Sequence, residues 1–410
     1  MKKTIAILCL MLFTIQSAMA QRFTDKLDRG LVVVPTGSTD GSTTNFVSWR
    51  RLANEYYGVT YNLYKNGKRI ATDLTTTSYN DNNNAPPTTQ YQVAAVVNGA
   101  EQTKCGVMTA WTEYVYKLGD NIRTATGYID IPLDTVYDRD GVDVTSHYEP
   151  NDAELADLDG DVQLEIIIKR LNTYDAWNGS EIYPINSREF VVLDAYDVNW
   201  QTGAATLMWR IDCGPNMASM NSTEINIIAY DWDEDGKAEV VLRGADNMIV
   251  YGPDGKKKLF EVGDMTVNTR NKMNSHTNGQ YAWTHTGAEY LIYMNGSTGA
   301  KYQVITYPLK RLESGESSEK SAWGDGYGHR STKHFLGAPF LDGRKASLFL
   351  ARGIYTRHKM IAMKLDRSSH TWSEIWTWSN NSKSSPWYGQ GNHNYVIADV
   401  DEDGRFCGID

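Results

Sequence analysis

Between residues 30 and 97, apolar and polar residues alternate in four stretches: GLVVVPT (30–36), NFVSWRRL (45–52), VTYNLYKNGKRIA (59–71) and TQYQVAAVV (89–97). A period of two, rich in β-branched and aromatic residues, predicts strands that bury one face. Asn66-Gly67 tolerates the positive φ of a type I′ turn and predicts a two-residue hairpin. NDNNNAPP (80–87) reads as a loop. Trp49 is expected to face the strand carrying Tyr61 and Tyr64, within a β-sandwich of the fibronectin type III kind over residues 21–112.

From about residue 113 the pattern changes to short apolar runs separated by acidic, glycine-rich turns. One unit recurs, as ADLDGDVQLEIIIKR (156–170), YDWDEDGKAEVVLR (230–243) and ADVDEDGRFCGID (398–410). The last two follow the strand-like runs EINIIAY and NYVIA, and the first two continue into LEIIIK and AEVVLR. The acids therefore fall in the turns of β-hairpins. Repeated strand–turn–strand units predict an antiparallel propeller over 113–410, unevenly spaced by insertions. RLESGESSEKSAWGDG (311–326) reads as a polar, mobile insertion, and GKKKLF (255–260) as a solvated hairpin. Long amphipathic helical patterns are scarce, so the expected class is all-β.

Asp157, Asp159 and Asp161 stand on alternate positions and would repel one another without a cation between them. The second copy places Asp231, Asp233, Asp235 and Glu239 at positions 1, 3, 5 and 9, with Gly236 for the sharp turn. The first copy has Glu165 at position 9 but Val162 where the glycine stood. The third has Asp399, Asp401, Asp403 and Gly404, with Cys407 at position 9. Hard oxygen donors in this number suit Ca²⁺ better than zinc or copper. An EF-hand is excluded, because its position 12 would be Ile168 or Leu242 and the flanks are strand-like. One such row is also met as a solvated acidic turn; two full copies between strands favour calcium, in a structural role at a blade's edge.

The net charge is −10 over 410 residues, which argues against a nucleic-acid surface. It also opposes an anionic partner until bound divalent cations are counted. Lys2-Lys3, the apolar run 5–15 and Ala18-Met19-Ala20 predict a secretory signal peptide over residues 1–20, leaving Gln21 first. A secreted protein, periplasmic or extracellular, is expected, with no membrane span. Cys105, Cys213 and Cys407 allow at most one bridge and are not a disulfide framework.

NDAELADLDGD (151–161), YDWDEDGKAEVV (230–241), WGDGYGHR (323–330), ARGIYTR (351–357) and GQGNHNYVIADVDEDG (389–404) resemble, in this order, the rhamnogalacturonan lyases of polysaccharide lyase family 11. The resemblance covers most of the chain after residue 20. It implies a small N-terminal β-domain and an eight-bladed propeller with many calcium ions. It also implies β-elimination in the rhamnose–galacturonate backbone of pectin, so the expected partner is rhamnogalacturonan I and the expected cofactor Ca²⁺. For the site, it implies His393 as a ligand in the active-site cation region and Asn151 near the substrate, with Asn392 beside His393 and Asp152 as a weaker partner. Lys169 is a candidate base or carboxylate contact. Arg330 and Arg357 are candidate bidentate contacts to uronate, and Asp325 is expected to fix their loop. Where the family commonly continues with Trp-Asp-Pro after this lysine, the chain reads Arg170-Leu171-Asn172, so Leu171 stands where a substrate-facing acid is expected.

The third acidic row runs into RFCGID and lacks the strand that should follow. The expectation is a fragment, an incomplete propeller that as a truncated chain is possibly inactive, because an open ring exposes sheet edges. A calcium-loaded propeller that binds glycan as an adhesin is the alternative function. A monomer is expected.

Overall fold

A computed structural model of the chain describes residues 23–36, 44–53, 55, 58–111, 114–118, 121–125, 127–172, 189–217, 225–269, 274–276, 281–283, 286–326, 328–391, 393–400 and 407–409. The leader expected over 1–20 lies outside them, as do Asn392, Asp401 and Asp403. The regular structure of the described residues is nearly all strand, and its α-helices are the short Glu319–Trp323 and His329–Thr332. Among the described residues, no helix is long and apolar enough to cross a membrane.

The first strands are β1 (Val32–Pro35), β2 (Asn45–Ser48), β3 (Thr60–Lys65), β4 (Lys68–Leu74), β5 (Ser78–Asp81), β6 (Tyr91–Val97) and β7 (Ala100–Glu101). They form two sheets, in the orders β1-β2-β5 and β4-β3-β6-β7. Val33 and Val47 of one sheet share a core with Tyr61, Leu63, Tyr91 and Val93 of the other. Trp49 meets Tyr61 edge-on, with ring centroids 5.6 Å apart. The β3–β4 hairpin turns at Asn66 and Gly67, at φ 47° and 77°, the left-handed pair that a two-residue turn requires.

The second part starts with the hairpin β8 (Tyr114–Leu118) and β9 (Asn121–Ala125). Then come β10 (Tyr148–Ala156), β11 (Glu165–Asn172), β12 (Val192–Val198), β13 (Ala205–Asp212), β14 (Ile227–Tyr230), β15 (Glu239–Ala245), β16 (Met248–Tyr251) and β17 (Lys258–Val262). β18 (Asn274–His276) and β19 (Tyr281–Trp283) precede β20 (Glu289–Asn295) and β21 (Lys301–Thr306). The last are β22 (His334–Gly337), β23 (Leu348–Arg352), β24 (Lys359–Asp366), β25 (Thr371–Ser379), β26 (Val396–Ala398) and β27 (Cys407–Ile409). The larger sheets run β10-β11-β12-β13-β16-β17, β14-β15-β20-β21 and β22-β23-β24-β25, all antiparallel.

The middle sheet is buried on both faces. Val240 and Leu242 pack with Trp209 and Ile211 of the six-stranded sheet, while Val241 packs with Leu348, Leu350 and Ile361 of the third. That is why β15 reads as an unbroken apolar run: alternate side chains enter two different cores.

Buried charge sits at both ends of the middle sheet. β15 begins at Glu239, beside an acidic turn, and passes Arg243 near its other end. There Arg243, Arg311 and Arg352 converge on the single carboxylate of Glu289, at 3.3, 2.8 and 2.6 Å. Burial opposes ionisation of Glu289, but the three guanidiniums hold its carboxyl well below the usual range.

The segment 311–326, expected to be a mobile insertion, is instead part of this packing. Trp323 is fully buried, and its indole N–H donates to Arg311 O at 2.7 Å. Glu313 pairs with Lys359 (2.6 Å) and Glu316 with Arg357 (2.5 Å). Its polar residues looked solvated because their cationic partners come from strands and turns distant in sequence.

Glu289→Gln would leave three buried guanidiniums around a neutral amide. A loss of about 3–5 kcal/mol of stability is expected, read as a lower denaturant midpoint at fixed calcium.

Candidate functional site

The two fully described acidic turns match almost bond for bond. At position 6, the N–H of Val162 donates to Asp157 Oδ2, and that of Gly236 to Asp231 Oδ2, both at 2.9 Å. At position 2, the N–H groups of Leu158 and Trp232 donate to the position-9 carboxylates of Glu165 and Glu239. Positions 4 and 6 are left-handed in both turns: Gly160 and Val162 at φ 85° and 72°, Glu234 and Gly236 at 63° and 93°. The curl therefore does not need glycine at any one position, but Val162 carries the strain of a β-branched residue there.

This curl gathers ligand oxygens. Those of Asp231, Asp233, Asp235 and Glu239 lie within 4.8 Å of one another, as do those of Asp157, Asp159 and Glu165. Asp161 stands outside its group, because its carboxylate accepts the backbone and side-chain N–H of Gln163 at 2.8 and 2.9 Å. Asp399 is described, but its partners at 401 and 403 are not.

The donor sets fit a hard cation. Burial, reinforced by the neighbouring aspartates, pushes Glu165 up to about 8 and Glu239 up to about 9. Asp231 rises to about 7, again through burial first. Buried acids that resist ionisation need a proton or a metal ion to neutralise them.

A carboxylate that the sequence pattern missed lies near both turns. Asp25 is raised to about 6 by burial and by Asp157, and its own charge acts on Asp231. Among the described residues its Oδ1 is buried without a hydrogen-bond partner. The lead-in segment is pinned by Asp28 N–H donating to Val162 O at 2.7 Å and Phe23 N–H to Arg344 O at 2.9 Å. One acid outside any repeat left no signal to find it by.

The remaining candidates lie away from the acidic turns. The β10–β11 ladder is bulged between Pro150 and Ala153, opposite Arg170 and Ile168. The extra residue puts exposed Asn151 and Asp152 across from Lys169, the re-aiming that bulges provide beside functional sites. Lys169 is buried, with Nζ 3.3 Å from Asp152 Oδ2 and 3.4 Å from Ile225 O. It lines a cavity of about 130 Å³ with Asp152, Glu154, Ile167 and Asn226. Leu171 is buried in the apolar core, so that position faces inward.

Asp325 is buried and accepts the N–H groups of Gly328 and Arg330, both at 3.0 Å, fixing the turn into the short helix His329–Thr332. Arg330 is half-exposed, 3.6 Å from Asp325, with its guanidinium 5.7 Å from the Tyr355 ring. Arg357 is buried and committed to Glu316 and to Asn381 O (2.8 Å). His393 is exposed, its Nε2 2.6 Å from the Tyr355 hydroxyl. Among the described residues it belongs to no cluster of three or more metal-ligating side chains.

Comparison with known proteins gives this geometry a context. Residues 128–407 match the C-terminal domain of rhamnogalacturonan lyase family 11, and residues 22–111 match the beta-sheet domain of rhamnogalacturonan I lyases. The chain is 34% identical over 396 residues to the rhamnogalacturonan endolyase YesW of Bacillus subtilis, covering 94% of this chain and 54% of that protein. It is 32% identical over 400 residues to the rhamnogalacturonan exolyase YesX of the same organism, covering 94% and 55%. The crystal structure of the exotype lyase YesX superposes with a TM-score of 0.68 at 30% identity, over 95% of this chain and 57% of that one. The chain thus spans about half the length of the curated relatives it matches.

Two outcomes test the turns. Because Glu165 and Glu239 are raised from 4.5 to about 8 and about 9, the metal-free fold binds more protons than the unfolded chain across that window. Melting temperature in chelator should therefore fall as pH rises from 5 to 9, and added calcium should reverse the trend, since it needs the ionised form. Val162→Gly should add about 1 kcal/mol of stability by relieving the left-handed valine, seen in chemical denaturation.

Proposed function

The chain belongs to rhamnogalacturonan lyase family 11, and on that footing we propose that it is a calcium-dependent lyase of the rhamnose–galacturonate backbone of pectin. The observation that carries the residue assignment is the bulge that sets Asn151 and Asp152 against the buried amine of Lys169 at a cavity. In β-elimination a base takes the proton at C5 of galacturonate. The C4–O4 bond breaks as a C4=C5 double bond forms, and the departing O4 takes up a proton. Calcium, when bound at a uronate carboxylate, draws off negative charge and makes the C5 proton easier to remove.

Lys169 can serve in one of two ways. Charged, it holds the uronate carboxylate; neutral, it accepts the proton at Nζ. Burial favours the neutral amine, and Asp152 at 3.3 Å favours the charged one. Asn151, exposed on the bulge, is assigned a hydrogen bond to substrate. Arg330 is assigned a uronate contact, with Asp325 positioning it. Arg357 already has its carboxylate in Glu316, so its assigned part is to hold the 313–316 turn. His393 alone does not make a calcium site. It is assigned to the border of the cation region, oriented by Tyr355.

The two acidic turns are read as structural Ca²⁺ sites, and their all-oxygen, buried donor sets support that reading. The sheet orders β1-β2-β5 and β4-β3-β6-β7 support a fibronectin type III-like sandwich over about 21–112. Four-stranded antiparallel sheets packed face to face support blades of a propeller after residue 113. The basic and apolar leader supports export, where a pectic polymer would be met.

The test is the ultraviolet absorbance of unsaturated uronate released from rhamnogalacturonan. It should rise with calcium, stop with chelator and return on calcium readdition. Lys169→Ala should lower the rate at least about a hundredfold. Lys169→Arg should rescue it if the residue binds carboxylate and fail to if it is the base. No absorbance from the calcium-loaded chain would overturn the lyase reading.

A further inference from the structure

Two aromatic residues, Tyr355 beside His393 and Trp387 in the loop that leads to it, adopt backbone conformations that bulky side chains rarely take, at φ 65° and 57°. Both rings stay in water, 44% and 64% exposed. Backbone strain spent on holding an aromatic ring in solvent brings no packing gain, and strain of this kind gathers at binding sites.

The surroundings enforce it. Tyr355 N–H donates to Gly391 O and Gly389 N–H to Thr356 O, both at 3.0 Å. Asn380 Nδ2 donates to Trp387 O at 3.2 Å. A Cβ on Gly391 would stand 3.0 Å from Tyr355 N and 3.2 Å from His358 Nδ1, so the two loops close tightly over a glycine. The turn at 353–358 and the loop 380–391 are thereby locked into one unit.

The chemistry displayed there is mixed. Trp387 stands 6.2 Å from Trp378, with the rings inclined at 54°. The Tyr355 ring is 5.0 Å from that of His393 and 5.7 Å from the Arg330 guanidinium, which is anchored to Trp323 O at 3.2 Å. Flat apolar faces suit the C–H face of a pyranose, and most of all a 6-deoxy sugar, whose methyl replaces a hydroxymethyl. A half-exposed guanidinium suits a carboxylate.

We propose that Trp387 and Tyr355, with Trp378 behind the first and Arg330 beside the second, form a stacking subsite for consecutive sugars of an alternating deoxy-sugar–uronate polymer. The aromatic faces take the neutral sugar and Arg330 takes the neighbouring uronate. The subsite rests on the lyase reading for its substrate class, and Trp387 is its specificity-determining residue.

Calorimetric titration of the calcium-loaded full chain tests this, with rhamnogalacturonan oligosaccharides and oligogalacturonates as the two probes. Trp387→Ala should weaken the first about tenfold and the second far less, at an unchanged melting temperature. Trp387→Phe, which keeps an aromatic face, should retain most of the affinity. Arg330→Gln should weaken both. In elimination assays Trp387→Ala should raise KM more than it lowers kcat. Native affinity and KM in Trp387→Ala would overturn the subsite while leaving the lyase reading intact, and an equal loss for both probes would overturn the deoxy-sugar assignment. Trp387-dependent binding without elimination would support the subsite and sink the lyase reading. A chain that binds neither probe overturns both.

Discussion

The neutralisation of buried charge is the constraint on which the rest of the structure depends. At the turn end of β10–β11 and β14–β15, carboxylates are buried at separations where their repulsion is costly without a counter-charge. At the far end, buried arginines and lysines meet acids brought from elsewhere in the chain: Glu289 takes Arg243, Arg311 and Arg352, Glu319 also takes Arg311, and Glu316 and Glu313 take Arg357 and Lys359. Between the ends lie apolar strands packed on both faces. Lys169 is four residues from Glu165 along β11, a separation of about 13 Å at strand rise. A single strand therefore links an acid-rich turn to a buried lysine paired with the exposed Asp152.

Small backbone irregularities set the functional geometry on regular sheets. The bulge at 151–152 adds one residue and brings Asp152 to Lys169, with exposed Asn151 beside it. Left-handed residues at positions 4 and 6 curl both acidic turns, and the hydrogen bonds from positions 2 and 6 hold the carboxylates once curled. Left-handed Tyr355 and Trp387 keep two rings in solvent. In each case the surrounding packing supplies what the local sequence does not favour, which is how strained conformations persist.

Much of this was legible in the order of residues. Period-two alternation, the Asn-Gly turn and the repeated acidic rows determined strands, a hairpin at 66–67 and two carboxylate clusters, because these depend on contacts a few residues apart. The motif stretches likewise pointed to the family and named Lys169, Asn151 and Asp152 as separate candidates; the bulge that brings them to one place was not legible. Other features depended on partners far along the chain, and only the tertiary structure decided them. The stretch 311–326 looked solvated until Arg357 and Lys359 met its acids and Trp323 its cavity. Asp25 joined the acidic turns through a lead-in segment pinned to residues 162 and 344, and Asp161 left its cluster for Gln163. Local hydrogen bonding and side-chain period are written in adjacent residues. The neutralisation of a buried charge is decided by whichever group the fold brings within a few ångströms of it.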